Sequence, residues 1–136
     1  MPITLLADEN VEGQVARLLT ERRREYWRIF WVELNSRSVR LGEIGLSKGV
    51  ADSVIWQTCQ KLEIYLITGN RNREGPDSLE ATIRDHSTPQ TFPVFTLSNS
   101  HKMLQSRAYV ERIAVRLYEL LLQEDSIRGS GRLYLP

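Results

Sequence analysis

Two acids and an amide, Asp8, Glu9 and Asn10, stand where the apolar run Ile3 to Ala7 stops and a helical pattern begins. Carboxylates set side by side at the end of a buried strand do not stay ionised without a counter-charge. A hard divalent cation is the usual compensation, and Mg²⁺ or Mn²⁺ prefers oxygen ligands. Such an ion lowers the pKa of bound water and clamps a phosphate, and phosphoryl transfer asks little more of a protein than positioning and charge neutralisation. Other polar residues fall where such a site would need them. Asp52 opens a second helical pattern; Thr68, Gly69 and Asn70 follow an apolar strand; Ser98 and Asn99 follow another. Arg71 and Arg73, with Arg40 and Lys48, are cations in loops that could meet a phosphate backbone.

Each of these residues also has a plainer reading. Asp8 and Glu9 suit a helix N-terminus, where negative charge is worth ~0.3–1 kcal/mol. Asn10 has the chemistry of an N-cap. Asp52 is an ordinary first-turn acid, and Asp77 with Glu80 has the spacing of a capping box. His86 and His101 lack metal-pair spacing and are read as structural, and Arg22, Arg23 and Arg24 as a solvated helix end. Asp8 alone rises above its plainer reading on position, because it ends a strand expected to be buried.

The elements that must position these residues alternate along the chain. Ile3–Ala7 is a continuous apolar run broken only by Thr4, as in a parallel strand covered on both faces. Val11, Val15, Leu18 and Leu19 follow at helical spacing, and the aromatic, β-branched stretch Trp27 to Leu34 reads as a second strand. Asn35 to Gly49, with three glycines and several serines, reads as a long irregular loop, a length more often functional than not. Ala51, Val54, Ile55, Cys59 and Leu62 form a second helical stripe, and Glu63 to Thr68 a third strand. A basic turn, "GNRNREGP", leads to a short helix from Asp77 to about Asp85, then a fourth strand from Phe92 to Leu97. From about Ser100 the pattern predicts one long amphipathic helix, closed by a glycine joint and the tail "RLYLP". Alternation of this kind predicts an α/β fold: a three-layer αβα sandwich around a mainly parallel sheet. The expected organisation is a single domain over 1–128 and a C-terminal tail over 129–136. In open parallel sheets, ligands bind outside the carboxyl ends of the strands, which is where Asp8, Asp52 and Thr68 are expected.

Composition narrows the function classes. The chain has 136 residues and a net charge of +1, so no overall field selects nucleic acid or a membrane surface. Cys59 stands alone, which excludes an internal disulfide framework and a cysteine metal cluster, and a buried packing role is expected of it. No apolar run approaches a membrane span and the first residues lack a signal-peptide pattern, so the cytoplasm is the expected compartment, with no membrane partner.

The opening "LLADEN" and the helix after it resemble the PIN-like families, in particular small stand-alone members that begin with a strand and "DEN". In those proteins a second acid opens a helix after a glycine-containing loop, and "GVADSVIWQTCQK" resembles that segment, with Asp52 in the acid's place. The next feature of the family is an apolar strand ending in Thr-x-Asp-x-Asp. Here "IYLITGNRN" has the strand and Thr68, but Asn70 and Asn72 stand where the acids belong. The resemblance implies a PIN-like fold and a metal-dependent ribonuclease, of the kind found as the toxin of a toxin–antitoxin pair. On this reading RNA and an antitoxin protein are the partners, and Mg²⁺ or Mn²⁺ is the cofactor. Asp8 and Asp52 carry over as catalytic and metal-binding residues. Asp77, as ligand, or Glu80, as catalytic acid, can replace the missing third carboxylate from the next helix. Glu9, Asn10, Thr68, Asn70 and Asn72 become supporting or substrate-positioning residues, and Arg71 and Arg73 phosphate contacts. PIN-like proteins are often dimers, and the aromatic second strand or the long last helix would serve as a homodimer surface. Two other readings stay open: a non-catalytic binding module on the same fold, which the two asparagines and the tail favour, and a phospho-receiver domain. The last ranks lowest, because the aspartate it needs directly after the third strand is Gly69.

Overall fold

The computed structural model describes residues 3–22, 32, 35–69 and 78–136. Five strands, β1 (Ile3–Ala7), β2 (Ser36–Val39), β3 (Ile64–Thr68), β4 (Val94–Leu97) and β5 (Arg132–Leu135), form one sheet in the order β2-β1-β3-β4-β5. Every pairing is parallel. The helices are α1 (Glu12–Arg22), α2 (Asp52–Leu62), α3 (Leu79–His86), α4 (Ser100–Met103), α5 (Arg107–Leu122) and α6 (Glu124–Ile127).

The side-chain period of two turns the continuous apolar strands into two cores. Ile3 and Leu5 of β1, Tyr65 and Ile67 of β3 and Phe95 and Leu97 of β4 point to one face, where Val15 and Leu18 of α1 and Ile113, Leu117 and Leu121 of α5 cover them. Leu6, Ile64, Leu66 and Val94 point to the other, under Ile55, Trp56 and Cys59 of α2 and Leu79 of α3. The result is the expected α/β sandwich of three layers. Among the described residues no helix is long and apolar enough to cross a membrane.

Three expectations change, and a fourth lies almost wholly outside the described residues. The stretch Asn35–Gly49 is not one irregular loop: Ser36–Val39 is β2, paired with β1 from Ile3↔Ser36 to Leu6↔Val39, and Leu41–Ile44 is a 3-10 turn. Its sequence, Ser-Arg-Ser-Val, is polar because β2 is an edge strand and half exposed. The strand expected over Trp27–Leu34 lies outside the described residues, apart from Val32, which is exposed and helical. The final helix is broken: Asn99 Oδ1 caps α4 by accepting from the Lys102 N–H, and Ser106 Oγ restarts the chain as α5 by accepting from the Tyr109 N–H. The expected tail over 129–136 carries β5, which pairs with β4 from Val94↔Arg132 to Leu97↔Leu135 and so belongs to the sheet.

The sheet order places a topological reversal at β1: the chain leaves it to β2 on one side and returns to β3 on the other. In doubly wound sheets of order 2-1-3-4-5 the ligand crevice lies at that reversal, outside the carboxyl ends of the strands. Asp8 is the first residue beyond β1 there.

Candidate functional site

The backbone of Asp8 still belongs to the sheet, because its N–H donates to the Ile67 carbonyl at 2.9 Å. Strand alternation therefore turns its side chain toward the α2 face, the side of Leu6. The residue is only 8% exposed. Oδ1 accepts the Glu9 N–H at 2.8 Å, which makes Asp8 the cap of the 3-10 turn Glu9–Val11. Oδ2 accepts the hydroxyl of Thr68 at 2.9 Å, and Thr68 is fully buried at the end of β3. The capping role expected of Asn10 thus belongs to Asp8, and Asn10 lies exposed within the turn. Asp8 competes better for it because its carboxylate bonds the first free N–H while its backbone is still extended.

Burial pushes the Asp8 carboxyl above its ordinary pKa. The Thr68 hydroxyl and the Glu9 N–H oppose the shift, and the charges of Asp52 and Glu9 add to it. Two acids far apart in sequence are therefore electrostatic neighbours. Asp52 sits in the first turn of α2, half buried, after the extended residue Ala51. The same helix carries Cys59 two turns on, and burial together with the charge of Asp8 pushes its thiol up to about 12. Cys59 is accordingly protonated at neutral pH and packs in the α2-side core.

Glu9 has a partner of its own. Its Oε1 accepts the Gly49 N–H at 2.8 Å, tying the 3-10 turn to the loop that precedes α2. Gly69 follows β3 beside that turn, and a Cβ on it would stand 3.1 Å from Val11 Cγ1, a tight approach that Val11 would have to relieve by a small shift.

Glu80 is held elsewhere. Its carboxylate pairs with Arg132 of β5 at 3.1 Å, and Arg132, with a side chain only 7% exposed, also donates to Thr96 Oγ1 at 2.6 Å. The substitution of Glu80 for a missing acid near Asp8 thus meets a competing partner that sequence spacing did not reveal. The cap of α3 is Ser78, whose Oγ accepts the Ala81 N–H, in place of the expected Asp77–Glu80 capping box. Asn70, Arg71, Asn72, Arg73 and Asp77 lie outside the described residues.

Asp8 and Asp52 carry the oxygen donors that a hard divalent ion prefers. Each oxygen of Asp8 accepts one hydrogen bond and has a second lone pair to offer. A buried carboxylate beside another acid is the electrostatic situation a cation relieves, and Mg²⁺ is commonly held by one or two carboxylates with water completing the shell. Among the described residues no group of three or more His, Cys, Asp or Glu side chains is placed to hold a metal, so those residues contribute two acids at most. Sequence reasoning placed Asp8 after the first strand, Asp52 at the start of a helix and Thr68 at the end of a strand, and the structure has them there. That reasoning missed the Glu9–Gly49 contact and the Glu80–Arg132–Thr96 group, because no local pattern announces a partner so far along the chain. Comparisons with protein-family models, with curated proteins and with solved structures each return no match.

Proposed function

We propose that this chain is a PIN-like, metal-dependent ribonuclease that hydrolyses RNA phosphodiesters, with Mg²⁺ or Mn²⁺ held by Asp8 and Asp52. One observation carries the reading: a buried carboxylate, its pKa raised by burial and further by the charge of Asp52, ends β1 at the topological reversal of a parallel sheet. A carboxyl whose pKa burial raises, at the carboxyl edge of a parallel sheet, is a candidate for function. The ion, when bound, supplies positive charge for the phosphate and a water of lowered pKa. The chain's own residues do the rest. The Thr68 hydroxyl and the Glu9 N–H hold both oxygens of Asp8 at the carboxyl end of β1. Arg40, directly after β2, and Lys48, in the loop before α2, are exposed cations at the carboxyl edge and suit RNA phosphates. The toxin role, with an antitoxin as partner, rests on the resemblance of "LLADEN" and "GVADSVIWQTCQK" alone.

The test is metal-dependent cleavage of RNA by the wild type and by Asp8→Asn, with circular dichroism to establish that the variant is folded. Cleavage that requires Mn²⁺ or Mg²⁺ and is lost in the folded variant is the expected result. Undiminished cleavage by the variant ends this reading.

A specific observation favours a second reading, a binding module without catalysis. Asp8 already caps a turn and bonds Thr68, so it has a complete structural role in the fold. Titration calorimetry with Mn²⁺ and Mg²⁺ separates the two: absence of binding to the folded wild type supports the module, and binding that Asp8→Asn removes supports the nuclease.

A further inference from the structure

We propose that Glu9 is a positioning residue: its carboxylate latches the loop before α2 and thereby ties the first turn of that helix, which carries Asp52, to the turn that Asp8 caps. The metal-binding consequence rests on the nuclease reading above; the latch itself does not.

Among the described residues the backbone bonds of the loop are local, and Leu46 and Val50 pack on the α2-side core. Gly45 and Gly49, at φ of 82° and 79°, adopt the left-handed conformation at its two ends, and Ser47, Lys48 and Gly49 are exposed. Leu46 N–H donates to Leu41 O and Val50 N–H to Ser47 O, both short-range. Glu9 provides a long-range tie, reaching across forty residues of sequence to the Gly49 N–H at 2.8 Å. A left-handed residue turns its N–H away from the local ladder, so without Glu9 this donor faces water. Two residues beyond Gly49, Ala51 opens α2 with its carbonyl accepting from the N–H groups of Val54 and Ile55, and Asp52 lies within that turn. The order of connection is therefore β1, Asp8, Glu9, Gly49, Ala51, Asp52. Glu9 belongs to the same short turn that Asp8 caps, so the tie to the loop starts at the residue next to Asp8.

This arrangement separates Glu9 from a metal ligand. A ligand must present charge and lone pairs to the ion, whereas a latch needs an acceptor of the right length. Glu9→Gln keeps the acceptor and loses the charge; Glu9→Ala loses both. The first readout is amide hydrogen exchange at Gly49, Val54 and Ile55, together with tryptic cleavage after Lys48, all without metal. In Glu9→Ala these amides should exchange about tenfold faster, the loss of roughly one hydrogen bond of protection, and cleavage after Lys48 should accelerate. Glu9→Gln should restore most of the protection. The second readout is Mn²⁺ affinity, weakened about tenfold or more in Glu9→Ala and largely recovered in Glu9→Gln. Unchanged exchange in Glu9→Ala overturns the latch. So does a Glu9→Gln protein that regains amide protection yet binds Mn²⁺ as poorly as Glu9→Ala, because Glu9 would then act through its charge. A wild type that binds no Mn²⁺ defeats the nuclease reading, while the exchange data still decide the latch.

Discussion

Replacing Thr68 by valine tests the electrostatic core of the site most directly. Valine matches the shape of threonine at a position that is fully buried, so packing changes little and the hydroxyl is the perturbation. That hydroxyl donates to Asp8 Oδ2 at 2.9 Å. Without it a buried carboxylate oxygen loses its partner, at a cost of about 1–3 kcal/mol. For a chain of this length that corresponds to a fall in Tm of roughly 3–15 °C. The pH dependence gives the sign. Thr68 pulls the Asp8 pKa down against the stronger upward effect of burial, so valine raises it further. At acid pH, below the folded pKa in both proteins, Asp8 is protonated in each native state and the deficit is small. As pH rises through the folded pKa of the wild type and then of the variant, the variant's native state holds its proton longer, and its stability falls further behind. Above both values the deficit is at its full size. Urea denaturation of the two proteins from about pH 3 to about pH 8 measures this, and a double-mutant cycle with Asp8→Asn isolates the pair. Asp8→Asn by itself should leave the metal-free protein as stable or more stable near pH 7, because a neutral amide replaces a buried charge and still accepts from the Glu9 N–H. A Thr68→Val deficit of constant size across the whole range, or none at all, refutes the claim that Asp8 is ionised and held by Thr68.

Two further outcomes are expected. Arg132→Met should destabilise the fold by about 1–3 kcal/mol in urea, since it removes the partner of Glu80 and the donor to buried Thr96 and weakens the pairing of β5 with the sheet; a loss below about 0.5 kcal/mol would show that the guanidinium is dispensable there. If RNA crosses the carboxyl edge, Arg40→Ala and Lys48→Ala should each weaken binding to single-stranded RNA and lower the salt dependence of log K by roughly 0.7 for each phosphate the variant no longer neutralises. Fluorescence anisotropy at several salt concentrations checks this, and slopes that do not change place the RNA elsewhere.

The sequence by itself determined the covered strands and the acid at the end of the first. β1, β3 and β4 are continuous apolar runs because helices lie on both faces, and that need is written locally. The stripe of α2 and the apolar face of α5 are equally local, and Asp8 stands out because a charge ends a buried run. Edge strands have no such signature. β2 reads as a polar loop and β5 as a tail, since a strand at the rim needs a partner more than it needs apolar residues. Tertiary structure alone decided the order of the strands, and with it the reversal at β1. It decided too that Thr68 bonds Asp8 across sixty residues, that Glu9 reaches Gly49 across forty, and that Glu80 turns to Arg132. Periodicity reports which face of an element is buried, whereas the partner of a polar group is chosen by what folding brings within about 3 Å of it.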